Sequence, residues 1–449
     1  MDVDELRTRV TAELPRVRQD LEDLVRIESV SADPARAAEV RRSAEAVAEL
    51  FRAEAFEDVA VVSAREDGGA PAVLARKPAP EGRPTVLLYA HHDVQPENDH
   101  AEWDSPPFEP TERDGRLHAR GAADDKAGIA AHLAAVRALG DDLGVGVTMF
   151  VEGEEEVGSD TLPALLEQHA EFLRADVIVI ADSSNWDIGV PALTTSLRGL
   201  VRVDVTVRTL THAVHSGMWG GLVPDALMTL ARLVATLHDD AGDVTVAGLH
   251  AGPAADVDYP EDRLRAESGI APGVDLIGTG TAVERLWTKP ALTVTGLDAP
   301  QVDGASNTLT AVARAKLSLR IAPGDTTANA LACLRRHLEE HVAWGAELSV
   351  DVVDTGEATS IDATGPAYDA ARRAFTEAWD GTEPIDMGVG GSIPFIAEFL
   401  RTFPDASVLV TGVEDPDTRA HGANEGLHLA EFERVCLAET LLLDLLADG

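Results

Sequence analysis

The chain has 449 residues, a hydrophobic content of 45% and a formal net charge of −41. Its length exceeds that of a single hydrophobic core, so two domains are expected, and its composition is that of a soluble globular protein. The strong negative charge argues against nucleic acid and anionic membranes as partners. Lysine is nearly absent while arginine is common, which is compatible with a GC-rich genome or a high-salt cytoplasm, and the sequence does not decide between them.

The sequence contains no run of about 18 apolar residues, which is the length that would predict a membrane span. The acidic segment Met1–Glu5 lacks the basic-then-apolar order of a signal peptide. The two cysteines, Cys333 and Cys436, lie in apolar helical patterns and are expected to be packed thiols rather than a disulfide or a thiolate metal site. A cytoplasmic protein is the prediction.

The first half of the chain alternates helical and strand patterns. A helix is predicted from Asp33-Pro34 through Phe51, and another from Ala127 to Leu139. Nearly unbroken apolar runs predict buried strands at 84–90, 145–151 and 177–181. This pattern indicates α/β layers with a mainly parallel sheet, in which ligands bind at the carboxyl ends of the strands.

The pattern changes near residue 197. Alternating strands at 201–207 and 313–321, helices at 224–238 and about 326–343, and a strand at 348–352 indicate an inserted ferredoxin-like α+β unit. The segment 240–300 is rich in Gly, Pro and Asp and carries no clear assignment. Because α/β character returns at 367–379 and 406–411, the predicted domains are 1–196 with 358–449, and 197–357.

Metal-ligand side chains follow several of the predicted strands. The first pair is His91 and Asp93, and the later clusters are Asp124-Asp125, Glu152–Glu156, Asp182 and His421. Imidazole and carboxylates at loop positions suit a divalent transition metal, and more than four such groups indicate two ions. Taken singly, the clusters have simpler explanations: Asp124 and Asp125 could cap the helix from Ala127, and Asp182 could be a turn residue.

The ordered motifs resemble the M20 family of metallopeptidases. They are His-x-Asp-Val-Gln-Pro from His91, Arg-Gly-x-x-Asp-Asp-Lys from Arg120, Glu155-Glu156 followed by Gly158-Ser159, an isolated Asp182, His-Ser-Gly-x-x-Gly-Gly from His215, and Ala420-His421. They span about 89 to 428 and are most similar to the cytosolic, carnosine-dipeptidase-like branch. The resemblance implies an α/β catalytic domain, with 197–357 as a lid and dimerisation domain.

The resemblance implies five metal ligands for two ions per chain: His91, Asp124, Glu156, Asp182 and His421. Asp124 would bridge both ions, and its peptide bond to Asp125 would be cis. Zinc is the expected metal, and manganese or cobalt would also suit these ligands. Asp93 would orient His91, and Glu155 would act as general base. Glu154 and His92 are assigned no catalytic role, and His92 is expected to point away from His91.

Further site residues are implied outside the metal clusters. His215 would reach the active site of the other subunit and stabilise the oxyanion, which implies a homodimer. The alternative is a loop histidine that shapes a Gly-rich turn. Asn307 and Arg320 resemble lid residues that bind the substrate's carbonyl and terminal carboxylate, although Arg320 could also be an ordinary exposed sheet arginine.

The segment Gly390–Pro394 resembles the family loop that lines the substrate pocket, with Gly391 and Ser392 as substrate-binding residues. Dipeptidase relatives carry an arginine shortly before this Gly-Gly-Ser, whereas Gly388 and Val389 stand there in this chain. The prediction is therefore a two-metal hydrolase of dipeptides. The alternatives are an amidohydrolase of N-acyl amino acids and a non-catalytic binding homologue.

Overall fold

The computed structural model describes residues 1–64, 69–253, 256–391 and 394–448. The chain divides into two compact units. Unit 1 comprises 1–195, 361–387 and 398–449, and unit 2 comprises 196–360 and 388–397. Within the described ranges, none of the helices combines the length and the apolar character that a membrane crossing requires.

The helices and strands follow one another as the α/β pattern predicts. The α-helices are α1 Val3–Val25, α2 Ala37–Ala53, α3 Lys126–Leu139, α4 Leu162–Gln168, α5 Ala170–Leu173, α6 Ser216–Trp219, α7 Ala226–Ala235, α8 Glu261–Ser268, α9 Thr327–His341, α10 Pro366–Ala378, α11 Pro394–Thr402 and α12 Leu429–Asp448. The strands are β1 Glu57–Val62, β2 Ala72–Lys77, β3 Thr85–His91, β4 Thr111–Arg113, β5 Arg116–His118, β6 Gly146–Glu152, β7 Val177–Ile180, β8 Ala192–Leu197, β9 Gly199–Arg208, β10 Val214–His215, β11 Ala291–Leu297, β12 Thr308–Leu309, β13 Val312–Ile321, β14 Glu347–Gly356, β15 Thr359–Ser360, β16 Ile385–Val389, β17 Ser407–Val410 and β18 Gly426–His428.

The main sheet of unit 1 has the strand order β1-β2-β6-β3-β7-β17-β8. Its centre is parallel, since β3 pairs in parallel with β6 and β7, and β7 pairs in parallel with β17. The outer pairs β1–β2, β2–β6 and β17–β8 are antiparallel. Residues 86–91 of β3 are all fully buried, which explains why the sequence there is an unbroken apolar run. The predicted mainly parallel sheet is confirmed.

Helix α3 is the central helix of unit 1, packed against α1, α12 and β3. Its small residues, such as Ala130, Ala131 and Ala134, allow a close approach on every side, and nearly all of the helix is buried. The polar exception in its middle is His132, whose Nδ1 lies 2.7 Å from Glu439 of α12 and whose Nε2 lies 3.0 Å from the carbonyl of Tyr89. One imidazole therefore ties α3 to both neighbours.

Unit 2 contains a four-stranded antiparallel sheet in the order β11-β13-β9-β14. With α7 after β9 and α9 after β13, the chain order is the βαββαβ of a ferredoxin-like unit. The helices cover the face formed by Val201, Val203, Val205, Leu317 and Leu319. The sequence prediction missed β11, because this edge strand has only Leu292 buried and shows no apolar alternation.

Two predicted helices begin later than their patterns indicate. Residues Pro34–Arg36 form a short 3-10 turn capped by Asp33, whose carboxylate accepts the N–H of Ala35 at 2.9 Å, and α2 begins after it. Helix α7 begins at Ala226 rather than Pro224, with Asp225 accepting the N–H of Met228 at 2.9 Å. An aspartate beside the proline therefore caps the 3-10 turn before α2 in the first case and helix α7 itself in the second.

Candidate metal centre

The parallel centre of the sheet brings the predicted ligands to one edge. His91 ends β3, Glu155 and Glu156 follow β6 in a 3-10 turn, and Asp182 follows β7. Because β3, β6 and β7 are parallel neighbours, their carboxyl ends lie side by side. His421 arrives through the segment after β17, the strand next to β7.

The first group of candidate ligands consists of His91, Asp124 and Asp182. The Nε2 atom of His91 lies 3.0 Å from Oδ1 of Asp124 and 3.8 Å from Oδ2 of Asp182. His91 is fully buried, and the ligand atoms of the group all lie within 4.8 Å of one another. One imidazole and two carboxylates are a suitable donor set for a divalent transition metal.

The second group consists of Asp124, Glu156 and His421. Nε2 of His421 lies 3.0 Å from Oδ2 of Asp124 and 3.2 Å from Oε2 of Glu156. The His421 side chain is 59% exposed, so this side of the centre is open to solvent. Its backbone has a φ of 62°, in the left-handed region that non-glycine residues seldom adopt and that is enriched at functional sites.

Asp124 belongs to both groups and presents one oxygen to each histidine. The peptide bond between Asp124 and Asp125 is cis, as the family resemblance implies. Asp125 is the first residue before α3, but its side chain makes no capping hydrogen bond, so the helix-cap explanation is wrong. Its carboxylate instead accepts the backbone N–H of His91 at 3.2 Å, and thus holds the end of β3.

Burial and mutual repulsion raise the pKa values of carboxylates at this centre. Burial, opposed by His91 and reinforced by Asp124 and Glu156, raises the pKa of Asp182 to about 7. Burial and the charge of Asp182 raise the pKa of Glu155 well above its usual value. Hydrogen bonds from the His421 imidazole to the carboxylates of Asp124 and Glu156 raise the pKa of His421 to about 11. Such a concentration of negative charge is stabilised by bound cations.

Asp93 connects two of the strand ends. Its Oδ1 and Oδ2 accept the backbone N–H groups of Glu155 and Glu156, each at 3.2 Å. Nδ1 of His91 lies 3.0 Å from the backbone carbonyl of Asp93 and 3.5 Å from its carboxylate. The carbonyl is therefore the nearer partner of the imidazole, and the carboxylate contacts the turn that carries both glutamates.

Gln95 is a site residue that the sequence reasoning did not single out. Its Nε2 donates to Oε2 of Glu156 at 2.7 Å, and its backbone N–H donates to Oε1 at 3.0 Å. Both oxygens of Glu156 are thus oriented by one residue of the segment after β3. Gln95 belongs to the His-x-Asp-Val-Gln-Pro motif, so its position two residues after Asp93 is the sequence signal for this role.

His92 and Glu154, which were assigned no catalytic role, have structural partners elsewhere. His92 is fully buried, and its Nε2 lies 2.8 Å from the carbonyl of Pro71, so it packs away from the ligands. Burial lowers the pKa of His92 to about 4, which keeps the ring neutral. The carboxylate of Glu154 accepts the N–H of Thr161 at 2.5 Å.

In unit 2, the structure brings His215 and Asn307 together. His215 pairs with Thr308 across the β10–β12 ladder, and the carbonyl of Asn307 accepts the N–H of Ser216 at 2.9 Å. Nδ1 of His215 accepts the N–H of Gly217 at 3.0 Å. The imidazole proton of the neutral ring therefore lies on Nε2, which leaves that atom as a donor.

Arg320 lies half-buried on β13, close to a second arginine, Arg198. Burial and the charge of Arg320 lower the pKa of Arg198 to about 10. The guanidinium of Arg198 donates to the carbonyl of Gly390 at 3.2 Å, next to Gly391. Ser392 lies outside the described residues.

Comparison with known proteins agrees with this geometry. Residues 87–443 match the model of peptidase family M20/M25/M40. The chain is 36% identical over 368 residues to a cysteinylglycine-S-conjugate dipeptidase of Corynebacterium striatum, covering 80% of each protein. It is 29% identical over 381 residues to a human β-Ala-His dipeptidase, covering 80% of this chain and 74% of the relative.

The crystal structure of human carnosine dipeptidase 1 superposes with a TM-score of 0.78 at 26% identity, covering 100% of this chain and 99% of that one. Both the sequence match and the fold extend over most of the chain. The protein is therefore a hydrolase that belongs to peptidase family M20/M25/M40.

Proposed function

We propose that the protein is a two-metal dipeptidase. The observation that carries the proposal is the position of Asp124, which contributes an oxygen to each of two three-residue ligand groups. The relatives described above are dipeptidases by name, which supports a dipeptide as the substrate class.

The residues present fit two divalent ions. His91 and Asp182 would hold one ion, Glu156 and His421 the other, and Asp124 would bridge both. Each ion would then be held by three protein side chains. When bound, two such ions supply an acidified water and polarisation of the scissile carbonyl. Zinc is the proposed metal, with manganese and cobalt as alternatives.

Glu155 is the proposed general base. Its backbone is held by Asp93, and its carboxylate lies near Asp182 in a buried setting that raises its pKa. A carboxylate with a raised pKa accepts a proton from the attacking water more readily at neutral pH, and it can return that proton to the nitrogen of the leaving amine. Glu155 therefore performs both proton transfers.

His215 is the proposed oxyanion donor, acting from the partner subunit of a homodimer. The hydrogen bond from Gly217 to its Nδ1 fixes the ring so that Nε2–H can donate to the tetrahedral oxyanion. Asn307, Arg320, Gly391 and Ser392 are proposed to bind substrate, with Arg320 pairing with its terminal carboxylate.

The proposal includes a cytoplasmic location and a division of labour between domains. Residues 1–196 and 358–449 would form the catalytic domain, and 197–357 the lid and dimerisation domain, with closure around the substrate. The compact units have nearly the same bounds, except that 388–397 belongs to unit 2.

The test is hydrolysis of dipeptides and N-acyl amino acids by chelator-stripped protein reloaded with zinc or manganese. We expect metal-dependent cleavage of dipeptides that is lost in Glu155→Gln and retained in Glu154→Gln, a neighbouring carboxylate that contacts Thr161 instead. Cleavage of only N-acyl amino acids would favour the amidohydrolase alternative. Two bound ions without turnover of any amide would contradict the enzymatic proposal and favour a binding homologue.

A further inference from the structure

A buried ion pair lies behind the metal centre and outside both ligand groups. Arg120 precedes the loop that carries Asp124, and Glu425 follows His421 by four residues. Nη1 of Arg120 lies 2.6 Å from Oε2 of Glu425, and the two side chains are 1% and 0% exposed. Burying two charges is costly unless further hydrogen bonds satisfy them, so their other contacts are informative.

Glu425 binds the backbone of the loop that carries the shared ligand. Its Oε2 accepts the N–H of Gly121 at 3.0 Å, and its Oε1 accepts the N–H groups of Ala123 at 2.9 Å and Asp124 at 3.2 Å. Three backbone donors of one loop thus converge on a single carboxylate. This arrangement fixes the position of the Asp124 backbone relative to the segment that follows His421.

Arg120 adds a second contact to the segment after His421 and reaches one further segment. Its Nη2 donates to the carbonyl of Gly422 at 3.0 Å, one residue after His421, and lies 3.4 Å from the carbonyl of Pro96, in the segment after His91. Its guanidinium also lies 5.6 Å from the ring of Trp103. The planar guanidinium holds its donors in a fixed fork that faces several acceptors, a geometry that the point-like ammonium of lysine does not reproduce.

We infer that the Arg120–Glu425 pair is the positioning device that sets the spacing between the two metal ligand groups. It joins the loops of His91, Asp124 and His421 without contributing a ligand of its own. The inference rests on the proposed two-metal site. Partners that orient metal ligands typically change metal affinity by about 10–100-fold when they are removed.

The experiment is calorimetric titration of the metal-free, full-length protein with Zn²⁺ and with Co²⁺, together with the visible spectrum of the Co²⁺ form. We expect Glu425→Gln to weaken binding of the ions by about tenfold or more and to alter the Co²⁺ spectrum. The matched control is Asp20→Asn. It breaks a 2.7 Å ion pair to Arg137, which is itself only 2% exposed, lies on α3 and also pairs with Glu54 at 2.9 Å.

The thermal midpoint of each metal-free variant separates stability from positioning. The inference would be overturned if Glu425→Gln lost no more metal affinity than Asp20→Asn. If the wild-type protein bound fewer than two ions, the proposed metal site would be overturned instead. If Glu425→Gln does not fold, Arg120→Lys is the second variant, because it keeps the positive charge but removes the planar fork that contacts Glu425 and the carbonyl of Gly422. We expect weaker metal binding from it as well, and unchanged affinity and spectrum would contradict the inference.

Discussion

Oδ1 of Asp93 accepts a hydrogen bond from the backbone N–H of Glu155 at 3.2 Å. Asp93, which lies just after β3, thus holds Glu155, which lies just after the neighbouring strand β6. The other oxygen of Asp93 holds Glu156 in the same way. A single buried carboxylate therefore sets the position of the proposed general base and of one proposed ligand.

This contact predicts a large catalytic defect in Asp93→Asn. The amide nitrogen would face one of two backbone N–H groups, so one hydrogen bond is replaced by a contact between donors. We expect kcat to fall by about 10–100-fold, with metal binding also weakened. Steady-state kinetics at saturating metal measure the effect. Asp99→Asn is the control, because the Asp99 carboxylate caps the turn His100–Glu102. Equal kcat values in both variants would refute the role of Asp93.

Because Asp124 belongs to both ligand groups, replacing it should release more metal than replacing a ligand of only one group. Replacing His421 by Ala removes a donor from only one group, so we expect one tightly bound ion per chain to remain. Replacing Asp124 by Ala removes a donor from both groups, and both ions should bind weakly. Metal content after dialysis, measured by mass spectrometry, tests the difference. Retention of two ions in the Asp124 variant would contradict the bridging role.

Features that depend on neighbouring residues in the chain could be predicted from the sequence, and features that depend on contacts between distant segments could not. Helix α3, the buried strands and the ligands at their ends were visible because apolar periodicity and adjacent polar residues are local signals. Strand β11 was missed because an edge strand with one buried residue has no such periodicity. The partners of Asp93, Gln95 and Glu425 were equally inaccessible, since they depend on contacts between segments distant in the chain.

The His132–Glu439 pair predicts a pH-dependent contribution to stability. Burial lowers the pKa of His132, but the charge and hydrogen bond of Glu439 outweigh it, and the net shift is upward. The native state then holds the proton more tightly than the unfolded state, whose histidine pKa is about 6.5. The stabilisation is fully present below that pH and is lost as the pH rises through the raised native value.

Glu439→Gln should therefore destabilise the protein most at low pH. Breaking a buried ion pair typically costs about 3–5 kcal/mol. We expect the difference in unfolding free energy from wild type to be greatest near pH 6 and to shrink towards alkaline pH. Urea unfolding of both metal-free proteins across that range measures it. A difference that grows with pH would show that His132 is not protonated in the native state.

The position of Arg320 predicts that the protein distinguishes a dipeptide with a free terminal carboxylate from the corresponding dipeptide amide. Arg320 and Arg198 are neighbouring cations, and neither has a carboxylate within ion-pair distance among the described residues. We expect Arg320→Gln to raise KM for a dipeptide by about tenfold, the value of one charge-assisted contact, while KM for the dipeptide amide changes little. Arg314→Gln is the control, since Arg314 lies on the same strand but pairs with Asp298 at 3.0 Å. Equal changes of KM for the acid and the amide would show that Arg320 is an ordinary sheet arginine.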